Sequence, residues 1–356
     1  MAAENLRGVH TLSEIRSQPD AWEGVFRRID QGKELFSDLL RRAEDILCIG
    51  CGSAFNVSYA VAPLLQQLCG KTCRPVHASD LMIYPSLYLK GSRNALIIAF
   101  SRSGDTTESA RAVETARRNG VSVLSVVCFG ESRMALHSDA LLLLEEAQEK
   151  SVTTTRSLTA MVLAGSYLAA VCGGHEEVCE KLRGLPRIAR ERMPYLEELG
   201  KQIGRDREIQ KFAFLGNGSY YGLAREAQLK IKEMVLLPAD SYVTLDFQHR
   251  PMSNVGPHML VTLLVSDAGR EYDLAVARNM KKLGGKLFVL CERARDGFKE
   301  CADYLLELES GLGDGIRNVL YMPSLQFMAY ERSLLEQQNP DEPKNLFYYV
   351  DLEKDL

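Results

Sequence analysis

The sequence predicts an α/β protein made of two tandem three-layer α/β/α sandwiches, each with a mainly parallel sheet. Short, almost wholly apolar runs alternate with longer amphipathic segments, which is typical of parallel strands covered by helices on both faces. The same ordered set of segments occurs twice along the chain. In both copies a glycine-rich loop follows the first apolar run and a hydroxyl- or carboxylate-bearing loop follows the next matched run.

The two copies match element by element. Each begins with an apolar strand running into Gly-x-Gly-Ser, "DILCIGCGS" (45–53) and "KFAFLGNGS" (211–219). Each continues through a helix to a second strand that ends in Ser-x-x-Gly, "NALIIAFSRSG" and "MLVTLLVSDAG". Two more strand predictions follow in each copy, "VSVLSVVCF" and "DALLLLEE" in the first, "GKLFVLCE" and "DYLLELE" in the second. Four matched elements in the same order predict a duplicated fold.

Predicted domain limits follow from this duplication. A helical arm is expected over 1–40, the first domain over 41–195, the second over 205–340, and a tail closing the site over 341–356. The segment "RGLPRIARERMPYLEELGKQIG" is expected to link the domains as a helix.

Composition restricts the class of protein. The 356 residues are 46% apolar and 25% charged with a net charge of −4, as in a globular protein. The sequence has no basic stripe, no uninterrupted apolar run of membrane length and no signal-peptide core. We therefore expect a cytoplasmic location and do not expect nucleic acid or membrane as partners. The nine cysteines and six histidines lack metal-ligand spacing, and Cys48 is expected to pack in the core. We therefore expect no metal site.

The loop "FSRSGDTTE" (100–108) is the candidate anion site. Loops at the carboxyl ends of parallel strands bind ligands, and helix N-termini favour anions. Ser101, Ser103 and Thr106 are neutral donors and Arg102 is a cation, although ordinary helix capping by Ser103 or Asp105 would give a similar pattern. The corresponding loop of the second copy, "SDAGREYDL", has carboxylates that repel phosphate. The sequence therefore favours phosphate in the first copy only.

The second copy has a charged helix where the first copy has none. Glu226, Lys230 and Glu233 are spaced to share one helix face. A solvated stripe is one interpretation, and acid–base residues of a site are the other. A division of labour follows from the second: the first copy holds phosphate and the second supplies acid–base chemistry.

Together these motifs resemble the sugar isomerase (SIS) family, and above all the isomerase half of glucosamine-6-phosphate synthase and its stand-alone relatives. The similarity covers about residues 40 to 356. It rests on "CGSA" (51–54), "SRSGDT" (101–106), "EKSVTTTRSLT" (149–159), "AQLKIKE" (227–233), "DFQHRP" (246–251) and "NPDEPKNL" (339–346). The N-terminal "EIRSQPDAW" is similar to the stand-alone isomerase/deaminase branch.

The resemblance implies a role for individual residues. Glu233 moves a proton between C1 and C2, and His249 acts in ring opening from the neighbouring subunit of a homodimer whose sites are shared. The phosphate is implied to be bound by Ser101, Ser103 and Thr106 with Ser53 nearby, and the sugar by Cys51, Gly52, Val152, Thr154 and Lys230. Arg102, which stands where relatives have glutamine, is added to the predicted phosphate site because of its positive charge.

Three positions depart from the family pattern. Tyr348 stands where the family has a lysine, Arg250 stands where it has a glycine, and Ala54 replaces a phosphate-facing serine. Arg102 is expected to compensate for the hydroxyl missing at Ala54. The chemistry that the resemblance implies requires no organic cofactor. The glutaminase half found in the family uses an N-terminal cysteine, whereas this sequence starts Met-Ala-Ala, so no glutaminase domain is expected.

The predicted function is that of a phosphosugar isomerase or deaminase acting on a hexose or amino-sugar 6-phosphate. A fructosamine-6-phosphate deglycase uses the same C1–C2 chemistry and is an alternative. A non-catalytic sugar-phosphate sensor is another, which Glu233 and His249 disfavour and Tyr348 keeps open.

Overall fold

The computed structural model describes residues 7–91 and 94–354, and the side chain of Asp296 is left out of the description. The chain forms two compact units. The first unit comprises 17–150, 154–186 and 347–354, and the second comprises 7–16, 151–153 and 187–346. The predicted limits of the arm, domains and tail stay a prediction.

The first unit contains a five-stranded, wholly parallel sheet of order β2-β1-β3-β4-β5. Its strands are β1 Asp45–Gly50, β2 Thr72–His77, β3 Ala95–Ser101, β4 Ser122–Val127 and β5 Ala140–Leu143. Central strand β3 is buried along its whole length because helices cover both faces of the sheet. One face packs on α5 (Ala78–Ile83) and α7 (Thr107–Arg118), in an apolar cluster that includes Leu47, Ile49, Ala112 and Val113.

The second unit contains a sheet of the same topology, order β10-β9-β8-β6-β7, also parallel throughout. Its strands are β6 Lys211–Gly216, β7 Ala239–Val243, β8 Met259–Leu264, β9 Lys286–Cys291 and β10 Tyr304–Glu307. Central strand β8 is again buried at every residue. The predicted fold class, two α/β/α sandwiches with parallel sheets, is confirmed.

Two strands were missed by the sequence patterns, β2 and β7. Each is the edge strand next to the first strand of its copy, and both are only partly buried. Edge strands need fewer apolar residues because one side faces solvent, so "TCRPVH" and "ADSYV" lack the apolar run that revealed the others. The proline in β2 is tolerated for the same reason.

Helices of the first unit cover its sheet. They are α2 Gln18–Gln31, α3 Lys33–Arg42, α4 Ser53–Cys69, α5 Ala78–Ile83, α6 Pro85–Leu89, α7 Thr107–Arg118, α8 Arg133–Leu136, α9 Arg156–Gly173 and α10 Glu176–Arg183. Helix α9 is long and apolar enough to cross a membrane by length and composition. It packs against α2 and α4, and its residues from Ser157 to Val171 are buried, so it is the core helix of this unit.

The second unit has helices α1 Val9–Arg16, α12 Ser219–Lys230, α13 Arg270–Lys282, α14 Arg295–Cys301 and α15 Met322–Leu335. Helix α11, Leu185–Gly204, has the extent expected of the linking helix. Asp341 accepts hydrogen bonds from the backbone N–H groups of His10 and Thr11, so the chain after α15 caps the first turn of α1.

Candidate functional site

The glycine loops that follow β1 and β6 have nearly the same conformation. Gly52 has φ 55° and ψ −126°, and Gly218 has φ 54° and ψ −127°, each directly before a helix. These dihedrals are open to glycine and strained for other residues. A Cβ on Gly50 or Gly216 would lie 2.5–2.6 Å from the backbone of the following helix. The glycines are therefore explained by the strand-to-helix turn itself.

The loop 100–108, here called the hydroxyl loop, begins at the end of β3 and lies at a topological switch point of the sheet. The chain leaves β1 for β2 on one side and returns to β3 on the other, and β1 and β3 are hydrogen-bonded neighbours. Such a point opens a crevice at the carboxyl ends of the strands, where α/β proteins bind ligands. The loops around Ser53 and Ser103 both begin at this edge.

The conformation of the hydroxyl loop is fixed by its own serines. Ser101 Oγ accepts the N–H of Gly104 at 3.0 Å, and Ser103 Oγ accepts the N–H of Asp105 at 3.1 Å. Both hydroxyls act as acceptors in these bonds, so their protons remain donors for a ligand. Thr106 is the N-cap residue of α7 and makes no side-chain capping bond. Ser103 is therefore both a loop-forming residue and a potential ligand-binding one.

Two other predicted residues come together beside the glycine loop. Thr154 Oγ1 donates to Ser53 Oγ at 2.8 Å, which places the segment before α9 against the first turn of α4. Cys51, in the same loop, receives a hydrogen bond from Ser109 Oγ at 3.6 Å. Burial raises the pKa of the Cys51 thiol to about 11, so this cysteine is neutral near pH 7.

The Arg102 side chain contacts the tail. Its guanidinium carbon lies 3.8 Å from the centre of the Tyr348 ring, and it donates to the Tyr348 carbonyl at 2.9 Å. It also lies 3.5 Å from Glu149 Oε2, and Tyr348 Oη donates to the Glu149 carbonyl at 2.9 Å. Tyr348, the residue in place of the expected lysine, thus anchors the tail on Arg102 and Glu149. The predicted contact between Arg102 and phosphate stays a prediction.

Glu149 connects the start of α9 to Arg102, a role that the sequence patterns did not reveal. Its carboxylate accepts the N–H and hydroxyl of Thr155 at 2.7 and 2.9 Å, and the N–H and hydroxyl of Ser157. These groups lie at the start of α9, so Glu149 caps that helix while also neutralising Arg102. The only signal in the sequence was a carboxylate shortly before "TTTRS".

The tail also meets the helix that follows the hydroxyl loop. The N–H of Thr107 donates to the carbonyl of Val350 at 3.2 Å, and the N–H of Leu352 donates to Thr107 Oγ1 at 3.1 Å. Arg133 lies within ion-pair distance of Asp351 at 3.8 Å. The tail therefore lies against the first turn of α7.

In the second unit, the loop that corresponds to the hydroxyl loop already holds an anion. Ser266 Oγ accepts the N–H of Gly269 at 2.9 Å, which repeats the bond between Ser101 and Gly104. The carboxylate of Asp314 then accepts the N–H of Asp267 at 2.9 Å and that of Ala268 at 3.1 Å.

Arg317 completes this cluster. Its side chain is fully buried and donates to both oxygens of Asp267, at 2.6 and 2.9 Å, and to Asp314 at 2.8 Å. The sequence correctly marked the second loop as acidic. However, the negative charge of Asp267 is neutralised by Arg317, and the anion-binding N–H groups are occupied by Asp314.

The charged helix face of the second unit is buried. Glu226 and Lys230 are fully buried and the Glu233 side chain is 15% exposed, so the solvated-stripe interpretation is wrong. Lys230 Nζ lies 3.1 Å from Glu226 Oε1 and is hydrogen-bonded to Glu233. Burial alone would lower the pKa of Lys230, but the two carboxylates outweigh it and the pKa is raised. The charged ammonium group of Lys230 is therefore held between two carboxylates.

Glu233 lies in a π-helical turn, Ile231–Val235, that continues α12 and ends at Leu236 with φ 64°. A π-turn inserts one residue into the helical repeat, which changes the direction of the side chains that follow. Here it gives Glu233 a partly exposed position three residues beyond fully buried Lys230.

His249 is exposed and follows the short turn Asp246–Gln248, whose Asp246 carbonyl accepts the His249 N–H at 2.9 Å. The next residue, Arg250, has φ 93°. This region favours glycine, which is the residue that the motif leads one to expect there. Val152, in the second unit, donates its backbone N–H to the Asp341 carbonyl at 2.8 Å.

The chain matches the SIS domain model twice, over residues 39–171 and 207–332, which together make up more than half of its length. The chain belongs to the SIS domain family. Both matched regions of this SIS protein contain a parallel sheet with its two loops.

The SIS protein is similar in sequence to glutamine–fructose-6-phosphate aminotransferases (isomerizing). It is 28% identical to that of Pyrobaculum aerophilum over 350 residues, 96% of this chain and 57% of the relative. It is 26% identical to that of Haemophilus influenzae, with coverage of 88% and 53%. The chain thus spans a little over half the length of these curated relatives.

Solved structures show the same fold. A tagatose-6-phosphate ketose/aldose isomerase from Escherichia coli has a TM-score of 0.86 and 25% identity, covering 96% of this chain and 97% of that one. A glucosamine-6-phosphate deaminase from Thermotoga maritima has a TM-score of 0.79 and 21% identity, with coverage of 96% and 99%.

Proposed function

We propose that this SIS protein is an enzyme that moves a proton between C1 and C2 of a hexose or amino-sugar 6-phosphate, as an isomerase or deaminase. The first unit binds the phosphate and the second supplies the acid–base residues. The protein acts without a metal or cofactor, in the cytoplasm, as a homodimer with shared sites. Relatives named for fructose 6-phosphate, tagatose 6-phosphate and glucosamine 6-phosphate support this substrate class.

The observation that carries the proposal is the carboxylate of Asp314 in the second unit. It accepts hydrogen bonds from two consecutive backbone N–H groups, those of Asp267 and Ala268. The corresponding groups in the first unit belong to Arg102 and Ser103, in a loop closed by the same serine–glycine hydrogen bond. A loop that binds an anion in one copy is suited to bind one in the other, where Arg102 and Thr106 stand in place of Asp267 and Glu271.

The phosphate is held in the first unit by those N–H groups and by the hydroxyls of Ser101, Ser103 and Thr106, with Ser53 nearby. Loss of the family serine at Ala54 leaves the site with one hydroxyl fewer. Cys51, Gly52 and Thr154 contact the sugar, and no thiolate chemistry is asked of Cys51 because its raised pKa keeps it protonated.

The chemistry in the second unit follows from Glu233. Once the ring is open, the Glu233 carboxylate takes the proton from the carbon next to the carbonyl, which leaves an enediolate (or enolamine) and a protonated Glu233. The proton then returns to the former carbonyl carbon while a proton passes from the neighbouring hydroxyl or amino group to the former carbonyl oxygen, so the isomers have the same atoms and Glu233 is regenerated. With an amino sugar, the resulting imine takes up water and releases ammonia. The pKa of Lys230 is raised by its carboxylate neighbours, and its ammonium group is hydrogen-bonded to Glu233, so a positive charge lies beside the base. His249 transfers the proton needed to open the ring.

Proton transfer can be followed directly. The purified protein is incubated in D2O with fructose 6-phosphate, glucosamine 6-phosphate and a fructosamine 6-phosphate, while ketose, ammonia and amine release are recorded with deuterium incorporation at C1 and C2. Glu233→Gln is expected to lower turnover by roughly 10²-fold or more while binding of the same phosphosugars persists. The matched control is Glu198→Gln, since Glu198 is an exposed glutamate of the same unit with a 76% exposed side chain.

Each product pattern has a defined meaning. Deuterium exchange with ketose formation or ammonia release supports the proposal, and amine release from the fructosamine alone replaces it with a deglycase. Binding of a phosphosugar without deuterium exchange at C1 or C2 would indicate a non-catalytic sensor and would contradict the proposed enzyme. Wild-type turnover in Glu233→Gln refutes the role of Glu233.

A further inference from the structure

The second unit contains a cavity of about 390 Å³ outside the carboxyl ends of β8, β9 and β10. It is lined by Asp267, which follows β8, by Glu292, which follows β9, and by the glycine-rich segment 311–313, which follows β10. Three arginines, Arg270, Arg293 and Arg295, complete its wall. This volume falls in the range of about 300–1,000 Å³ typical of small-molecule sites.

The two carboxylates of the wall are already neutralised or hydrogen-bonded. Asp267 is bound through both oxygens by Arg317, which lies behind the wall. Glu292 accepts the hydroxyl of Ser310 at 2.7 Å and the N–H of Gly311 at 2.6 Å, and it lies 4.0 Å from Arg317. Both carboxylates therefore have partners other than the three arginines of the wall.

Within the described residues, none of these three arginines forms an ion pair. Arg270 donates to the carbonyl of Arg293, a neutral acceptor, and lies over the ring of Phe298 at 5.5 Å. Arg293 and Arg295 are exposed, and neither forms an ion pair or a side-chain hydrogen bond with the part of the chain that the structure describes. Three arginines that line one cavity create a field that attracts an anion.

We propose that this cavity is a second ligand site, which binds a phosphate ester through Arg270, Arg293 and Arg295. Guanidinium groups match the oxygens of a phosphate in pairs, and glycines 311 and 313 leave room for a ligand because a Cβ on either would meet nothing within 4 Å. The hydrogen-bonded carboxylates of Asp267 and Glu292 are placed to accept hydroxyl groups of the ester. The site is independent of the hydroxyl loop of the first unit, and of the function proposed for it.

Binding is measured by titration calorimetry of the full chain with inorganic phosphate and with fructose 6-phosphate. The wild type is expected to bind two equivalents of fructose 6-phosphate. Ser103→Ala/Thr106→Ala removes the first equivalent and keeps the second. Arg293→Gln/Arg295→Gln keeps the first equivalent and weakens the affinity for the second by about tenfold or more. Arg207→Gln/Lys282→Gln removes the same charge from exposed positions of this unit and is expected to keep both equivalents.

The outcomes separate this site from the first. If binding survives Ser103→Ala/Thr106→Ala and is lost in Arg293→Gln/Arg295→Gln, the second site stands even when the wild type shows no turnover. One equivalent that is lost with the hydroxyl loop and unchanged by Arg293→Gln/Arg295→Gln overturns the second site and leaves the first intact. Equal weakening by the Arg207→Gln/Lys282→Gln control also overturns it, because the effect is then one of net charge.

Discussion

Asp273 offers a test of the electrostatics at the switch point of the second sheet. Its side chain is 1% exposed, and burial raises the pKa of its carboxyl from 3.8 to about 7. The N–H of Ser266, at 3.4 Å, and the side-chain amide of Asn217, at 3.1 Å, oppose that rise without cancelling it. At neutral and higher pH the folded protein therefore carries a buried carboxylate that is poorly solvated. Asp273→Asn removes the charge and keeps an oxygen acceptor in the same place.

The magnitude follows from the pKa. Because the folded pKa lies above the unfolded one, the folded protein binds more protons than the unfolded chain between pH 3.8 and about 7. The contribution of Asp273 to the free energy of unfolding therefore falls as pH rises through that window and is constant above it. At about 1.4 kcal/mol for each pH unit, the part of the window above about pH 5 amounts to roughly 2–3 kcal/mol. The stability advantage of Asp273→Asn over the wild type should grow by that amount between about pH 5 and about pH 8.

The assay is urea unfolding at those two pH values, followed by far-ultraviolet circular dichroism. Fluorescence of Trp22, the only tryptophan, reports on the first unit in the same samples. Asp240→Asn removes an exposed carboxylate from the second unit and controls for the change in net charge. A stability difference between Asp273→Asn and wild type that is equal at both pH values would refute the reasoning.

Two further predictions concern the acid–base region of the second unit. Arg250→Gly should raise the free energy of unfolding by about 1–2 kcal/mol, because φ 93° is strained for a residue with a Cβ. Arg250→Ala keeps the Cβ and should leave the free energy of unfolding unchanged. Equal values for the two variants in urea unfolding would exclude strain as the cause. Lys230→Met should lower the free energy of unfolding by about 3–5 kcal/mol, because Glu226 is left buried beside Glu233 without its lysine. Adding Glu226→Gln should recover part of that loss, and a double variant no more stable than Lys230→Met would show that the buried charge is not the cause.

Much of the fold could be predicted because burial on both faces imposes a simple pattern. A strand in the middle of a parallel sheet has to be apolar at nearly every position, so β1, β3, β6 and β8 are visible as apolar runs. The edge strands β2 and β7 carry no such requirement and were missed. The glycines were predictable for a local reason, since the turn from strand to helix fixes the backbone at Gly52 and Gly218.

The candidate site was predictable to a smaller extent. Residues that act through local sequence, such as Ser101 in its own loop, can be recognised from a motif. Glu149 and Asp314 cannot, because each acts on groups supplied by another part of the fold: Glu149 on the side chain of Arg102, and Asp314 on the loop after β8. Arg102 lies 47 residues from Glu149, and Asp267 lies 47 residues from Asp314, so neither contact can be recognised from a local motif.

The sequence by itself determined the duplicated architecture and the edge of each sheet at which the loops gather, because hydrophobic periodicity and strand-to-helix turns are local properties of the chain. Only the tertiary structure decided which charges are neutralised. Folding buries Glu226 and Lys230, seats Asp314 on the second loop and leaves Arg293 and Arg295 at an open cavity. The physical reason is that the energy of a charge depends on its desolvation and its partners, and both are set by residues far away in the sequence.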